Sequence, residues 1–437
     1  MAPLRQSLIA ASACVLFAWG GESHAAEPAR AASGENPPAV HRATLSQARL
    51  ARIDAAWQAY LESRRLAGAV LLVQRDGEPV YARAWGHRDR EAGDPMREDT
   101  IFRIASQTKA LVSVGVMMLA EEGRLRLDDP VGRHLPAWAQ TTVAVASDEG
   151  GYTTVPARRP ITVHHLLTHT AGISYAREAV VPGHEAWREA GIVGWYSAGR
   201  DEPMARVVER MAALPMMAQP GETYLYGYST DILGVLIEQV SGQSLEAFLS
   251  ERLLQPLGMV DTHFFLPPEK ASRLAVVYSA AEGGIVRAPE APAHGDAMAT
   301  QGHYVDGPRI AQAGGAGLLS TARDYGRFLE MLRRGGELDG RRYLSAASVA
   351  EMTRNQIGAL PFREGAGFGL GFEVIEDPQR HGKRGSAGSY GWGGAYHSTY
   401  WVDPAQGLSV VYLTQLIPAG ELDDHVKLRE LLYEAFE

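Results

Sequence analysis

Phe102-Arg103-Ile104-Ala105-Ser106-Gln107-Thr108-Lys109 opens a segment, residues 106–122, whose pattern is helical and which ends at Gly123, a residue suited to the C′ position. On a helix, residues three apart share a face, so the Lys109 amine reaches the Ser106 hydroxyl. Near a helix N-terminus, and with burial, an ammonium gives up its proton more readily and then serves as a base. A serine hydroxyl needs such a partner to attack an acyl carbon. The spacing also has a plain explanation, because serine is a favoured N-cap and a solvated lysine commonly follows it. What lies on either side decides between the two.

Upstream, residues 45–66 carry Leu50, Ile53, Trp57 and Leu61 at helical spacing. Two apolar runs follow, 69–74 and 80–85, separated by Asp76-Gly77, which predicts a β-hairpin. Downstream, residues 125–300 are loop-rich with helical pieces at 163–167, 202–213 and 231–240, and 322–334 reads as another helix. Strands return at 400–402 and 408–413 around Asp403-Pro404…Gly407, and a helix over 422–436 closes the chain. Strands at both ends with helices between them predict an α/β lobe from about 46–120 and 310–437, with a helical lobe of about 121–309 inserted.

Arg5, an apolar run over 8–19 and Ser23-His24-Ala25 have the layout of a cleaved signal peptide, 1–25. That run is shorter than the ~20 apolar residues of a membrane span. Residues 26–45 read as a flexible leader, so the expected location is periplasmic or secreted. The only cysteine, Cys14, lies in the signal segment, where Ala11-Ser12-Ala13 lacks the leucine usual before a lipidated cysteine. The mature chain would hold no cysteine, which excludes disulfides and cysteine-based chemistry. A net charge of −9 gives no case for nucleic acid or an anionic membrane as partner.

Two further segments reverse the plain explanation. Pro220-Gly221-Glu222-Thr223-Tyr224-Leu225-Tyr226-Gly227-Tyr228-Ser229-Thr230-Asp231-Ile232-Leu233-Gly234 is a turn leading into an apolar helix, and Tyr390-Gly391-Trp392-Gly393-Gly394-Ala395-Tyr396 precedes a strand. Ser-x-x-Lys, then a Tyr-x-polar-like element, then a glycine-containing strand resembles the penicilloyl-serine hydrolase superfamily. The resemblance spans nearly the whole mature chain and is closest to the class C β-lactamase-like branch. Thr168-His169-Thr170-Ala171-Gly172 is similar to that branch's His-Thr-x-Gly segment, and Gly317-Leu318-Leu319-Ser320-Thr321-Ala322-Arg323-Asp324-Tyr325 to its Gly-Leu-x-Ser-Thr-x-x-Asp helix entry.

The resemblance implies a β-lactamase/transpeptidase-like α/β (α+β) fold, an antiparallel sheet flanked by helices. It implies Ser106 as acyl-enzyme nucleophile, Lys109 as its base or proton relay and Tyr226 as a second base. The backbone N–H groups of Ser106 and Ala395 would form the oxyanion hole, each worth roughly 3 kcal/mol in the transition state. Two departures stand out. Tyr226-Gly227-Tyr228 lacks the usual asparagine amide, leaving Tyr228 at the pocket. Trp392-Gly393-Gly394 replaces Lys-Thr-Gly, and tryptophan cannot bind a substrate carboxylate as a lysine does. Lys383-Arg384-Gly385 does not substitute for it, since it runs into Ser386-Ala387-Gly388, a loop. The Trp-Gly-Gly form is similar to the family VIII carboxylesterases.

The expected activity is therefore hydrolysis of a small-molecule ester or amide, with esters favoured and no cofactor. A β-lactamase, a D-amino-acid peptidase, an acyltransferase and a non-catalytic cell-wall ligand-binding protein on the same fold are the alternatives. No Gly-x-Ser-x-Gly elbow or His-Glu-x-x-His is present, and His164, His165, His169 and His397 lack metal-ligand spacing. His169 reads as structural and His397 as an exposed strand residue that borders the pocket at most.

Overall fold

The computed structural model describes residues 46–177, 181–292 and 297–436. The signal-peptide, leader and Cys14 expectations lie outside them. The N-terminal periodic stretch forms α1 (Gln47–Glu62), capped by the Ser46 hydroxyl. The two apolar runs form β1 (Gly68–Arg75) and β2 (Glu78–Asp89), an antiparallel hairpin. Asp76 and Gly77 both take positive φ at its turn, as a tight hairpin requires.

β1, β2 and β3 (Asp94–Pro95) join five strands from the other end of the chain: β4 (Ala366–Phe368), β5 (Glu373–Ile375), β6 (Tyr390–Gly394), β7 (Ser398–Asp403) and β8 (Leu408–Leu413). The sheet order is β4-β5-β6-β7-β8-β1-β2-β3, antiparallel throughout. β1 reads as an unbroken apolar run because both of its faces are covered. Ala69, Leu71 and Val73 pack in one buried cluster, Val70 and Leu72 in another.

The first cluster lies under α1 and the C-terminal helix α6 (Asp424–Ala435). On the opposite face pack α2 (Thr108–Glu121), α3 (Val163–Leu167), α4 (Ser229–Ser241) and α5 (Ala322–Arg333), within one continuous core. α2 is apolar on all sides and buried from Thr108 to Leu119, so its position is set by packing on every face. Among the described residues, no helix is long and apolar enough to cross a membrane.

Candidate active site

Ser106 does not sit on an α-helix, as its periodic context predicts, but in a 3₁₀ turn, Ala105–Gln107, immediately before α2. Ala105 holds φ +43, a left-handed conformation that costs a residue with a Cβ roughly 1–2 kcal/mol. Such strain persists only where the surroundings over-determine it, and here they do. Ile104 N donates to Leu318 O at 3.1 Å, Leu318 N donates to Thr108 Oγ1 at 3.0 Å, and the Tyr325 hydroxyl donates to Gln107 O at 2.9 Å. The Gly317–Tyr325 stretch thus fastens the serine turn from behind.

Lys109, one residue into α2, is only 2 % exposed. Its Nζ lies 3.5 Å from Ser106 Oγ, 2.8 Å from the Tyr175 hydroxyl and 2.7 Å from Gly315 O. It also lies 4.7 Å from the Tyr226 ring centroid. Neither Tyr175 nor Gly315 was singled out in the sequence, and the one available signal was Tyr175 falling three residues past Gly172. Burial, reinforced by Tyr226 and Asp231, pushes the Tyr175 phenol well above its ordinary value, so it stays protonated. Asp231 is buried and accepts from Gly315 N at 2.9 Å, which fixes the carbonyl that Lys109 uses. Burial raises the Asp231 carboxyl and the Lys109 charge works against that rise.

His169 lies beside Tyr226. It is buried, packs 4.6 Å from the Tyr226 ring and accepts from Gly227 N at 3.4 Å. Burial and then the Lys109 charge push its imidazole well below the ordinary value, so it is neutral. Tyr226 itself accepts from Trp392 Nε1 at 3.0 Å, their rings 5.3 Å apart. Trp392, Gly393 and Gly394 lie on β6, whose end reaches the serine turn. A Cβ on Gly394 would stand 2.6 Å from Ile104 O, so only glycine allows that approach.

A cleft of about 720 Å³ brings Ser106, Tyr226, Trp392, Gly393, Gly394 and Ala395 onto one wall system, with Tyr175, Leu225 and Trp195. Tyr228 stands apart from it. Its ring is buried, stacked 5.9 Å from Trp187 and edge-on to Tyr175 at 4.8 Å. His397 differs from its expected exposed strand position. It closes the turn after β6 at φ +60, lines the cleft, and places Nε2 2.6 Å from Asp424 Oδ1 with His425 stacked at 4.1 Å. The αL conformation and a carboxylate from α6, 27 residues away, were invisible to a local reading. Lys383 lies in a loop and pairs with Glu373 at 3.3 Å.

The Beta-lactamase family model matches residues 53–433. The chain belongs to the β-lactamase family. It is a serine hydrolase on the β-lactamase/transpeptidase-like fold, and its relatives match the resemblance to ester-cleaving members. It is 36 % identical to esterase EstB of Burkholderia gladioli over 378 residues, 85 % of this chain and 91 % of that protein. It is 28 % identical to a monacolin J acid methylbutanoyltransferase of Aspergillus terreus over 401 residues, 84 % of this chain and 90 % of that protein. Among solved structures it is similar to EstCE1, a hydrolase with promiscuous acyltransferase activity. The TM-score is 0.74 at 27 % identity, with 89 % of this chain and 99 % of that chain covered.

Proposed function

We propose that the protein cleaves carboxylic esters through an acyl-enzyme on Ser106. The observation that carries the reading is the placement of the Lys109 Nζ. It lies within reach of Ser106 Oγ, is held by Tyr175 and Gly315, and is covered by Tyr226. In this mechanism Ser106 Oγ attacks the ester carbonyl and its one proton passes to Lys109, from which Tyr226 relays it. The backbone N–H groups of Ser106 and Ala395 stabilise the oxyanion. Collapse of the tetrahedral intermediate breaks the C–O bond, and the departing alkoxide takes up that proton. Water then adds to the acyl-serine, is deprotonated by the same base, and frees the acid and Ser106.

Trp392 favours esters over β-lactams. Its indole fills the strand position of the usual lysine, and its N–H is already engaged by the Tyr226 hydroxyl. Transfer of the acyl group to an alcohol is a second reading, favoured by the similarity to an acyltransferase. It differs only in the acceptor that replaces water.

Short-chain p-nitrophenyl esters should be hydrolysed, with Ser106→Ala abolishing turnover. A fluorophosphonate probe should label Ser106, as mass spectrometry would show. Efficient nitrocefin cleavage without ester turnover would sink the ester reading, and an unlabelled Ser106 would sink the acyl-enzyme. Export of the mature chain is also proposed, and sequencing the N-terminus after expression with an intact leader tests cleavage after Ala25.

A further inference from the structure

The described lining of the cleft is cationic although the chain carries a net charge of −9. Among the described residues its lining includes Arg177, Arg363, Lys383 and Arg429 and one carboxylate, Glu373. Glu373 is buried and serves two cations at once, Arg363 Nη1 at 2.6 Å and Lys383 Nζ at 3.3 Å. Burial raises its carboxyl, but Lys383 and Arg363 together hold it below the usual carboxylate range, so it is ionised. Among the described residues one carboxylate faces two cations here, and Arg363 keeps its charge while burial lowers the Lys383 amine against the pull of Glu373. Arg429 is engaged elsewhere, its Nε donating to Arg384 O and its guanidinium 4.7 Å from the Trp401 ring centroid.

Arg363 is placed differently. Its side chain is 51 % exposed, and its guanidinium lies 5.2 Å from the Trp392 ring centroid. Trp392 in turn donates to the Tyr226 hydroxyl. One indole ring therefore separates this cation from the Ser106-Lys109-Tyr226 group. A guanidinium has five N–H donors in a planar fork; Glu373 takes one end and leaves donors for a second carboxylate, while the indole face holds the fork flat.

Building on the ester-hydrolase reading, we propose that Arg363 is an anion-recognition residue and that the cleft selects esters bearing a carboxylate a few bonds from the scissile carbonyl. Trp392, which cannot itself bind a carboxylate, then acts as the platform for the cation that does.

Binding to Ser106→Ala, which leaves esters intact, tests this by calorimetry without any need for turnover. Mono-p-nitrophenyl glutarate carries the carboxylate on the acyl side, and 4-(butanoyloxy)benzoate carries it on the leaving group. Their neutral partners are p-nitrophenyl hexanoate and 4-methylphenyl butanoate. One anionic ester should bind about tenfold more tightly than its partner, as a charge-assisted pair allows. That preference should shrink with added salt and largely vanish in Ser106→Ala/Arg363→Met, in which Lys383 still pairs with Glu373. Arg363→Lys, charged but without the fork, should keep part of it. Equal binding within both pairs, or a preference that survives Arg363→Met, overturns the proposal. Failure of the ester reading would show separately, as absent wild-type turnover of p-nitrophenyl hexanoate.

Discussion

Lys109 is useful to Ser106 only while its other partners hold it still. A lysine chain carries about 2 kcal/mol of rotamer entropy, and the Tyr175 hydroxyl and Gly315 carbonyl remove that freedom by binding Nζ at 2.8 and 2.7 Å. Gly315 is the vulnerable member. A Cβ there would stand 2.5 Å from Asp231 Oδ2, inside van der Waals contact, so Gly315→Ala must displace either the Asp231 carboxylate that fixes this backbone or the backbone whose carbonyl Lys109 uses. We predict that Lys109→Ala lowers kcat for esters by about 10²–10⁴-fold, the range for a lost general base. Gly315→Ala should cause a smaller loss in kcat, with little change in KM and an unaltered circular dichroism spectrum. Gly315→Ala activity within twofold of wild type would show that the carbonyl does not position the lysine.

At the scale of elements, α1 belongs to the site despite its distance in sequence. Trp57 on α1 is fully buried between Trp85 and Tyr412, at 5.4 and 5.6 Å. Its Nε1 donates to the Tyr412 hydroxyl at 3.1 Å, Tyr412 donates to Asp424 at 2.6 Å, and Asp424 holds His397 at the cleft. Trp57→Ala should cost about 3–5 kcal/mol, as for large aromatic truncations in cores. Trp57→Phe should retain most of that, losing chiefly one hydrogen bond of about 1 kcal/mol. Urea titration measures both, and a Trp57→Ala cost below 1 kcal/mol would show that α1 is not clamped. Such elements were legible because burial imposes periodicity. The 163–167 and 408–413 runs match their helix and strand end to end. The serine turn was not legible, since the helical pattern of α2 runs into it and only tertiary bonds from Leu318 and Tyr325 force φ +43 on Ala105. Ser106, Tyr226 and Trp392 could be picked out through motif order. Tyr175, Gly315 and Arg363 could not, because each comes from a segment that folding alone brings to the others.

For the whole molecule, buried histidines set the response to acid. Burial lowers His165, His263 and His425 from the ordinary 6.5 to about 4, and burial with the Lys109 charge takes His169 well below its ordinary value. Between pH 6.5 and about 4 the unfolded chain therefore holds more protons at these four positions than the folded one. Stability rises with pH wherever the unfolded state binds more protons, so through these imidazoles acidification across this window works against the fold. Asp231, Glu238, Glu246 and Asp324 act in the opposite sense, since burial raises their carboxyls and the folded state gains as they protonate. The imidazoles, with His381 a fifth that burial lowers, begin to charge in the unfolded chain near 6.5, whereas unfolded carboxyls protonate only near 4, so the imidazoles dominate the upper part of the window. Asp424 and Glu373, held below the usual carboxylate range, add their own loss only at lower pH. Thermal melting followed from pH 7.5 to 5.0 should show a falling Tm, and His425→Gln, which removes one of these protons, should make the fall shallower. A Tm that is flat or rises on acidification would mean that the buried imidazoles take up their protons without unfolding the protein.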